Sequence, residues 1–163
     1  MNTIFQTVHV QLALKSRYEQ FSHQLEQTLN SLEMNWADQL LTNPDAVRFH
    51  AEQLQGDAGL MIFGKQESGD LLNLDGAPKR AAQYLIGNPL VALSMIRHDL
   101  RAALYAPIRV LIYEDETNQL YAEYDLPSSQ FGQFGKEEIR AIAEKLDEKL
   151  EDVIMKTDNS SLD

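Results

Sequence analysis

No cysteine occurs among the 163 residues of this chain. Disulfides, thiol nucleophiles and zinc–thiolate sites are excluded together by that absence. Basic residues are scarce, with 14 Lys and Arg against 25 Asp and Glu and a formal net charge of −11. That balance opposes nucleic-acid binding, which needs a basic footprint for phosphates, and docking on anionic membranes. It serves solubility and points to no particular substrate. No apolar run approaches the length of a membrane span. The N-terminal MNTIFQTVHVQLAL lacks the basic start and unbroken apolar stretch of a signal peptide. A soluble, cytoplasmic protein is the resulting expectation. With 44% apolar residues, the chain suits one domain over residues 1–155, followed by a flexible tail at 156–163.

What is present is a readable alternation of strand and helix patterns. Ile4, Val8, Val10 and Leu12 form one face of a first strand. Ser16 stands three residues before Glu19, a capping-box spacing, and Tyr18, Phe21, Leu25, Leu29 and Leu32 continue at helical intervals. Asn43-Pro44-Asp45 reads as a helix start, with Val47, Ala51 and Leu54 on one face, while Trp36, Leu40 and Leu41 are expected to pin the preceding segment. Gly59 to Gly64 reads as a buried strand, Glu67 to Asp70 as a turn, Leu71, Leu72 and Leu74 as a returning strand, and Gln83 to Ile86 as another. Asn88 and Pro89 open a helix to Arg97 or His98 that buries Leu90, Leu93 and Met95 or Ile96. Ile108, Val110 and Ile112 then face one side of a strand that turns at Asp115 to Asn118 into Leu120, Ala122 and Tyr124. Residues 126–135 read as an irregular loop anchored by Phe131 and Phe134. Ile139, Ile142, Ala143, Leu146, Leu150 and Val153 mark the last helix.

Chemistry is harder to place. His9, His23 and His50 lack any spacing that would pair them as ligands, and no HExxH motif exists, so structural or solvated roles lead and no metal is expected. His98, Asp99 and Arg101 lie between a helix and a strand. His98 can serve as acid or base, oriented by Asp99, with Arg101 or Arg109 holding an anion. The simpler reading is a helix-terminal histidine and a polar tie across a connection. Tyr113, Tyr121 and Tyr124 can line a cavity with Arg109. Strand alternation nevertheless separates Tyr121 from Tyr124, which favours core and surface roles. Ser128-Ser129 lacks a nucleophile elbow, Gly132 and Gly135 lack a phosphate-loop context, and the acidic pairs Glu114-Asp115 and Glu123-Asp125 are too few for a cation site.

The segments YLIGNP, the helix from Pro89, APIRVLIYED from Ala106 to Asp115 and YDLP from Tyr124 to Pro127 resemble the family catalogued as domain of unknown function 302. The resemblance is good over Gly59 to Gly135 and looser through the first strand and helix. It implies a TATA-binding-protein-like α+β fold of β-α-β(4)-α order, an antiparallel-rich sheet covered by helices, with Trp36 to Leu54 as an extra helical segment. Family members commonly carry an isoleucine-aspartate-histidine motif after the second strand. The comparable place here reads Phe63-Gly64-Lys65-Gln66, so a role resting on that pair does not transfer. The reading that follows is a non-enzymatic small-molecule or partner-binding domain, homodimeric and without a cofactor. Its candidate ligand-binding residues are Arg101, Arg109, Tyr113 and Tyr124. The alternatives are a cofactor-independent enzyme using His98 with Asp99, and an adaptor that presents a sheet edge or helix face.

Overall fold

The structure is a computed structural model that describes residues 2–32 and 36–162, with the backbone course only at 36 and 37. In chain order it runs β1 (His9–Leu14), α1 (Tyr18–Thr28), α2 (Trp36–Thr42), α3 (Pro44–Leu54), β2 (Met61–Gln66), a 3-10 helix (Ser68–Asp75), β3 (Ala81–Gly87) and α4 (Pro89–Ile96). A second 3-10 helix (Leu100–Tyr105), β4 (Ile108–Glu114), β5 (Leu120–Asp125), α5 (Pro127–Phe131), a 3-10 turn (Gly132–Phe134) and α6 (Glu137–Ser160) complete it. The strands form one five-stranded sheet in the order β1-β5-β4-β3-β2, and every neighbouring pair is antiparallel. This is the α+β architecture that the sequence implies.

Register follows from burial. Val10 pairs with Tyr124, Tyr124 with Val110 and Val110 with Tyr84, so one row of side chains crosses four strands on one face. Leu12, Ala122, Ile112 and Ala82 form the next row. A slip of one residue would turn these rows toward solvent. Phe21 and Leu25 from α1, with Ile139, Ala143, Leu150 and Ile154 from α6, close the same core. The opposite face carries exposed Arg109 and half-exposed Tyr113, Tyr121 and Glu123. At the β4–β5 turn the Asp115 carboxylate accepts from the amides of Thr117 (2.8 Å) and Gln119 (2.9 Å), while Asn118 takes φ 63°. A turn residue that bonds its own following backbone is what the Asp-Glu-Thr-Asn sequence supplies.

Several local expectations are displaced by non-local partners. β1 begins at His9 rather than Ile4, because β5 ends opposite it at Asp125; Ile4 is 98% and Val8 52% exposed. Ser16 does not cap α1. Its hydroxyl donates to Asp158 at 2.7 Å, and α1 starts after Arg17 without a side-chain cap. The same helix ends at Thr28 rather than Leu32, because the Asn30 carbonyl accepts from Ile62 N and Leu32 N donates to the Ile62 carbonyl, each at 2.9 Å. These bonds cover part of the β2 edge, which would otherwise present unpaired backbone.

Leu71, Leu72 and Leu74 form no strand; they lie on the first 3-10 helix and are exposed. β2 finds its partner in β3 instead. Leu40 and Leu41 are also exposed and do not pin α2, while the Trp36 side chain lies outside the described residues. The segment read as a loop at 126–135 contains α5 and a 3-10 turn, with Phe131 buried as expected. The expected flexible tail is helical through Ser160, because Thr157 and Asp158 extend the buried face of α6.

Gly69 shows how closely the first 3-10 helix lies on the chain leading into β3. A methyl group at this position would run into the Lys79 carbonyl and the Ala81 amide. Backbone cannot yield as a flexible side chain would, so Gly69→Ala is expected to cost about 2 kcal/mol. Urea unfolding checks this; a loss below about 0.5 kcal/mol would show that the turn relocates freely.

Candidate functional site

The sequence Pro-Leu-Val-Ala-Leu-Ser-Met-Ile of α4 is apolar on every side except at Ser94, whose hydroxyl donates to the Val91 carbonyl at 2.6 Å. A helix apolar all round should be buried all round. In α4 only Met95 is buried; Leu93 is 39% exposed, and Leu90, Val91 and Ile96 are half-buried. The reason is a cavity of about 480 Å³ alongside the helix. That volume lies within the roughly 300–1,000 Å³ usual for small-molecule sites.

Several elements border it. Pro44, Val47, Arg48 and Ala51 of α3 line one wall at helical spacing, and Leu40 of α2 adds to it. The extra helical segment therefore has a structural role: it builds one side of the cavity. Ala103, Ala106 and Pro107 form another wall, and Ile108, Phe131 and Leu146 reach it from the core. Phe63, at the irregularity where the β2–β3 register shifts between Ile62 and Gly64, completes the lining beside Gly87.

The polar lining residues are Asp45, Arg48 and Asn88. Asn88 is buried and fully occupied. Its Oδ1 accepts from Leu90 N at 2.9 Å, and its Nδ2 donates to Gln55 Oε1 at 2.8 Å and the Gly59 carbonyl at 3.0 Å. It caps α4 and ties that helix to the end of α3. Asp45 lies in the first turn of α3, where a carboxylate complements the helix dipole. Arg48 is exposed at the rim and makes no ion pair among the described residues. Among the described residues no serine, threonine, tyrosine, histidine, lysine or glutamate lines the space.

The residues singled out from sequence lie elsewhere and on different faces. Asp99 caps the second 3-10 helix by accepting from Arg101 N at 3.0 Å, and its carboxylate also receives Arg101 Nε (3.0 Å) and an Arg101 terminal nitrogen (2.7 Å). Those bonds hold the Asp99 carboxyl down to about 2. Arg101 lies over the Phe134 ring at 5.3 Å. His98 is exposed, and its ring makes no hydrogen bond to Asp99. Arg109 and Tyr113 occupy the outer sheet face. Tyr113 stacks on Tyr121 at 5.6 Å, donates to Glu123 at 2.6 Å and accepts from Gln11 at 3.1 Å. Tyr124 points into the core. None of His98, Asp99, Arg101, Arg109, Tyr113 and Tyr124 lines the cavity.

A second polar cluster occupies the place compared above with the family's aspartate-histidine motif. Lys65 Nζ lies 2.8 Å from Glu26 and 2.6 Å from Glu67, and 5.4 Å from the centre of the Tyr84 ring. Tyr84 donates to Glu26 at 2.8 Å and Tyr18 to Glu67 at 3.0 Å. Burial works against the Lys65 ammonium, yet the hydrogen bonds it donates to the two carboxylates hold it well above its ordinary range. A lysine kept charged cannot accept a proton, so these groups lock β2 to α1 rather than act as a base. Among the described residues no group of three or more His, Asp and Glu is placed to hold a metal, and no helix is long and apolar enough to cross a membrane.

A family model described as "Domain of unknown function DUF302" matches residues 40–157. The fold is similar to the crystal structure of an uncharacterised conserved DUF302 protein from Bacillus stearothermophilus, with a TM-score of 0.66 at 11% identity, over 92% of this chain and 97% of that one. At that identity the likeness concerns the fold. No curated protein matches the chain.

Proposed function

The chain belongs to the DUF302 family, and on that premise we propose that it is a binding domain that holds an apolar small molecule between α3 and α4 without transforming it. The observation that carries this reading is α4 itself, apolar apart from Ser94 yet with only Met95 buried, beside a cavity of about 480 Å³. Apolar surface left beside such a recess gains free energy when a ligand removes it from water, about 25 cal/mol per Å². The lining supports binding rather than catalysis. An acid, base or nucleophile must come within hydrogen-bond reach of its substrate, and among the described residues the cavity offers one carboxylate, one guanidinium and an already occupied amide.

The neutral dye phenylnaphthylamine tests the reading, because its fluorescence rises on transfer from water to an apolar site. Saturable enhancement is expected with the native chain. Ala103→Trp should weaken binding at least tenfold by placing an indole across one wall, while Tm stays within about 2 °C because Ala103 is exposed. His98→Ala should leave dye affinity unchanged. The absence of saturable enhancement, or native affinity in Ala103→Trp, would sink the reading.

A further inference from the structure

We infer that the cavity selects an amphipathic anion, an apolar chain ending in a carboxylate-type head that pairs with Arg48. This inference rests on the binding reading above and adds the chemistry of the ligand's polar end. The lining is apolar except at Asp45, Arg48 and Asn88. Asn88 uses its amide in three hydrogen bonds to protein and has little left to offer a ligand. Arg48 has no carboxylate within ion-pair distance among the described residues, although Asp and Glu outnumber Lys and Arg by 25 to 14. Arg80 pairs with Glu19 and Glu114, Arg101 with Asp99, and Arg140 with Glu137; Arg17, Arg97 and Arg109 share with Arg48 the lack of an ion pair among the described residues, and of these four Arg48 alone lines the cavity.

Position supports the assignment. Arg48 is one turn from Pro44 and one turn from Ala51 on the α3 face that lines the cavity. It is exposed while Val47 beside it is buried, so its guanidinium stands where an apolar chain would emerge into water. A planar guanidinium can engage both oxygens of a carboxylate while its aliphatic stem covers apolar surface. α4 also begins at the cavity, with Pro89 and Leu90 in the lining, and its N-terminal dipole favours negative charge there. Asp45 opposes an anion. It lies in the first turn of α3, and its charge sets the amount by which Arg48 must prevail.

Calorimetric titration of the full chain with decanoate, decanol and decyltrimethylammonium at neutral pH and low salt tests head-group choice on a constant tail. Decanoate is expected to bind about tenfold tighter than decanol, the size of one charge-assisted hydrogen-bonded contact. The cation should bind weakest. Arg48→Gln should bring decanoate to the affinity of decanol and leave decanol unchanged, Arg48→Lys should retain part of the preference, and Asp45→Asn should enlarge it. Equal binding of decanoate and decanol by the native chain, or a preference that survives in Arg48→Gln, would overturn the head-group assignment while leaving the cavity reading standing. Failure of all three amphiphiles to bind would overturn both.

Discussion

Asp158→Ala is expected to lower the unfolding free energy by about 3 kcal/mol and Tm by roughly 6–12 °C. The Asp158 carboxylate is 1% exposed. It accepts from Lys15 N at 3.0 Å, from Ser16 N at 2.9 Å and from Ser16 Oγ at 2.7 Å. These bonds join the end of α6 to the stretch between β1 and α1. Removing the acceptor leaves buried donors unpaired, and each costs about 1–3 kcal/mol when nothing replaces the bond. Asp158→Asn keeps the shape and one acceptor oxygen but loses the charge, so an intermediate loss is expected. Lys156 provides the contrast. It pairs with Asp152 at 2.7 Å, but both side chains are more than half exposed, and Lys156→Ala should change stability by less than about 0.5 kcal/mol. Urea unfolding with an unchanged m-value is the measurement. A loss below about 1 kcal/mol for Asp158→Ala would mean that water replaces the carboxylate.

The Asp158 network also shows why a chain end dominated by small polar residues reads as frayed in the sequence yet is helical through Ser160. The partners Ser16 and Asp158 are 142 positions apart, and no periodic pattern carries that information. Ser16 and Glu19 have the right spacing for a local cap, but the distant carboxylate takes the hydroxyl and Glu19 pairs with Arg80. Patterns that depend on one element's own neighbours fared better. Val110, Ile112, Leu120, Ala122 and Tyr124 face the core as their alternation requires, and Asn43 and Asn88 cap α3 and α4.

The candidate site was only half legible. The apolar content of α4 was plain, but hydrophobicity does not distinguish a side chain packed on protein from one facing an open space. The pattern therefore assigns Leu90, Leu93 and Leu40 to packing, although they line the cavity. The available signal was an excess: a helix with apolar residues on all sides needs partners on all sides, and the chain supplies too few. Arg48 gives no signal in the sequence, because its place in the cavity lining comes from how α3 packs beside α4. His98, Asp99 and Arg101 drew attention through chemical variety, but the bonds between Asp99 and Arg101 make a local tie.

Alkali should expose the other large contribution to stability. Tyr84 is 0% and Tyr124 3% exposed. Burial pushes both hydroxyls up to about 12 from an ordinary value near 10, with the Tyr84 bond to Glu26 and the charges of Glu151 and Asp147 near Tyr124 acting in the same direction. The unfolded chain therefore releases these protons first as pH rises. The stability they provide is whole below pH 10 and is lost between pH 10 and about 12, by roughly 2–3 kcal/mol for each residue. Lys65 acts with the same sign: Glu26 and Glu67 keep it charged in the folded chain after an unfolded lysine would have lost its proton. Unfolding free energies measured by urea between pH 8 and 12, with tyrosinate absorbance followed in parallel, check the window; these limits are chosen to span roughly the two values. Tyr84→Phe should cost about 1 kcal/mol at pH 8, because Glu26 loses a donor. Above pH 10 its stability should fall less steeply than that of the native chain, since one of the linked protons is gone. Parallel slopes for the two proteins would assign the alkaline loss to Tyr124, Lys65 and the remaining groups, and would remove Tyr84 from it.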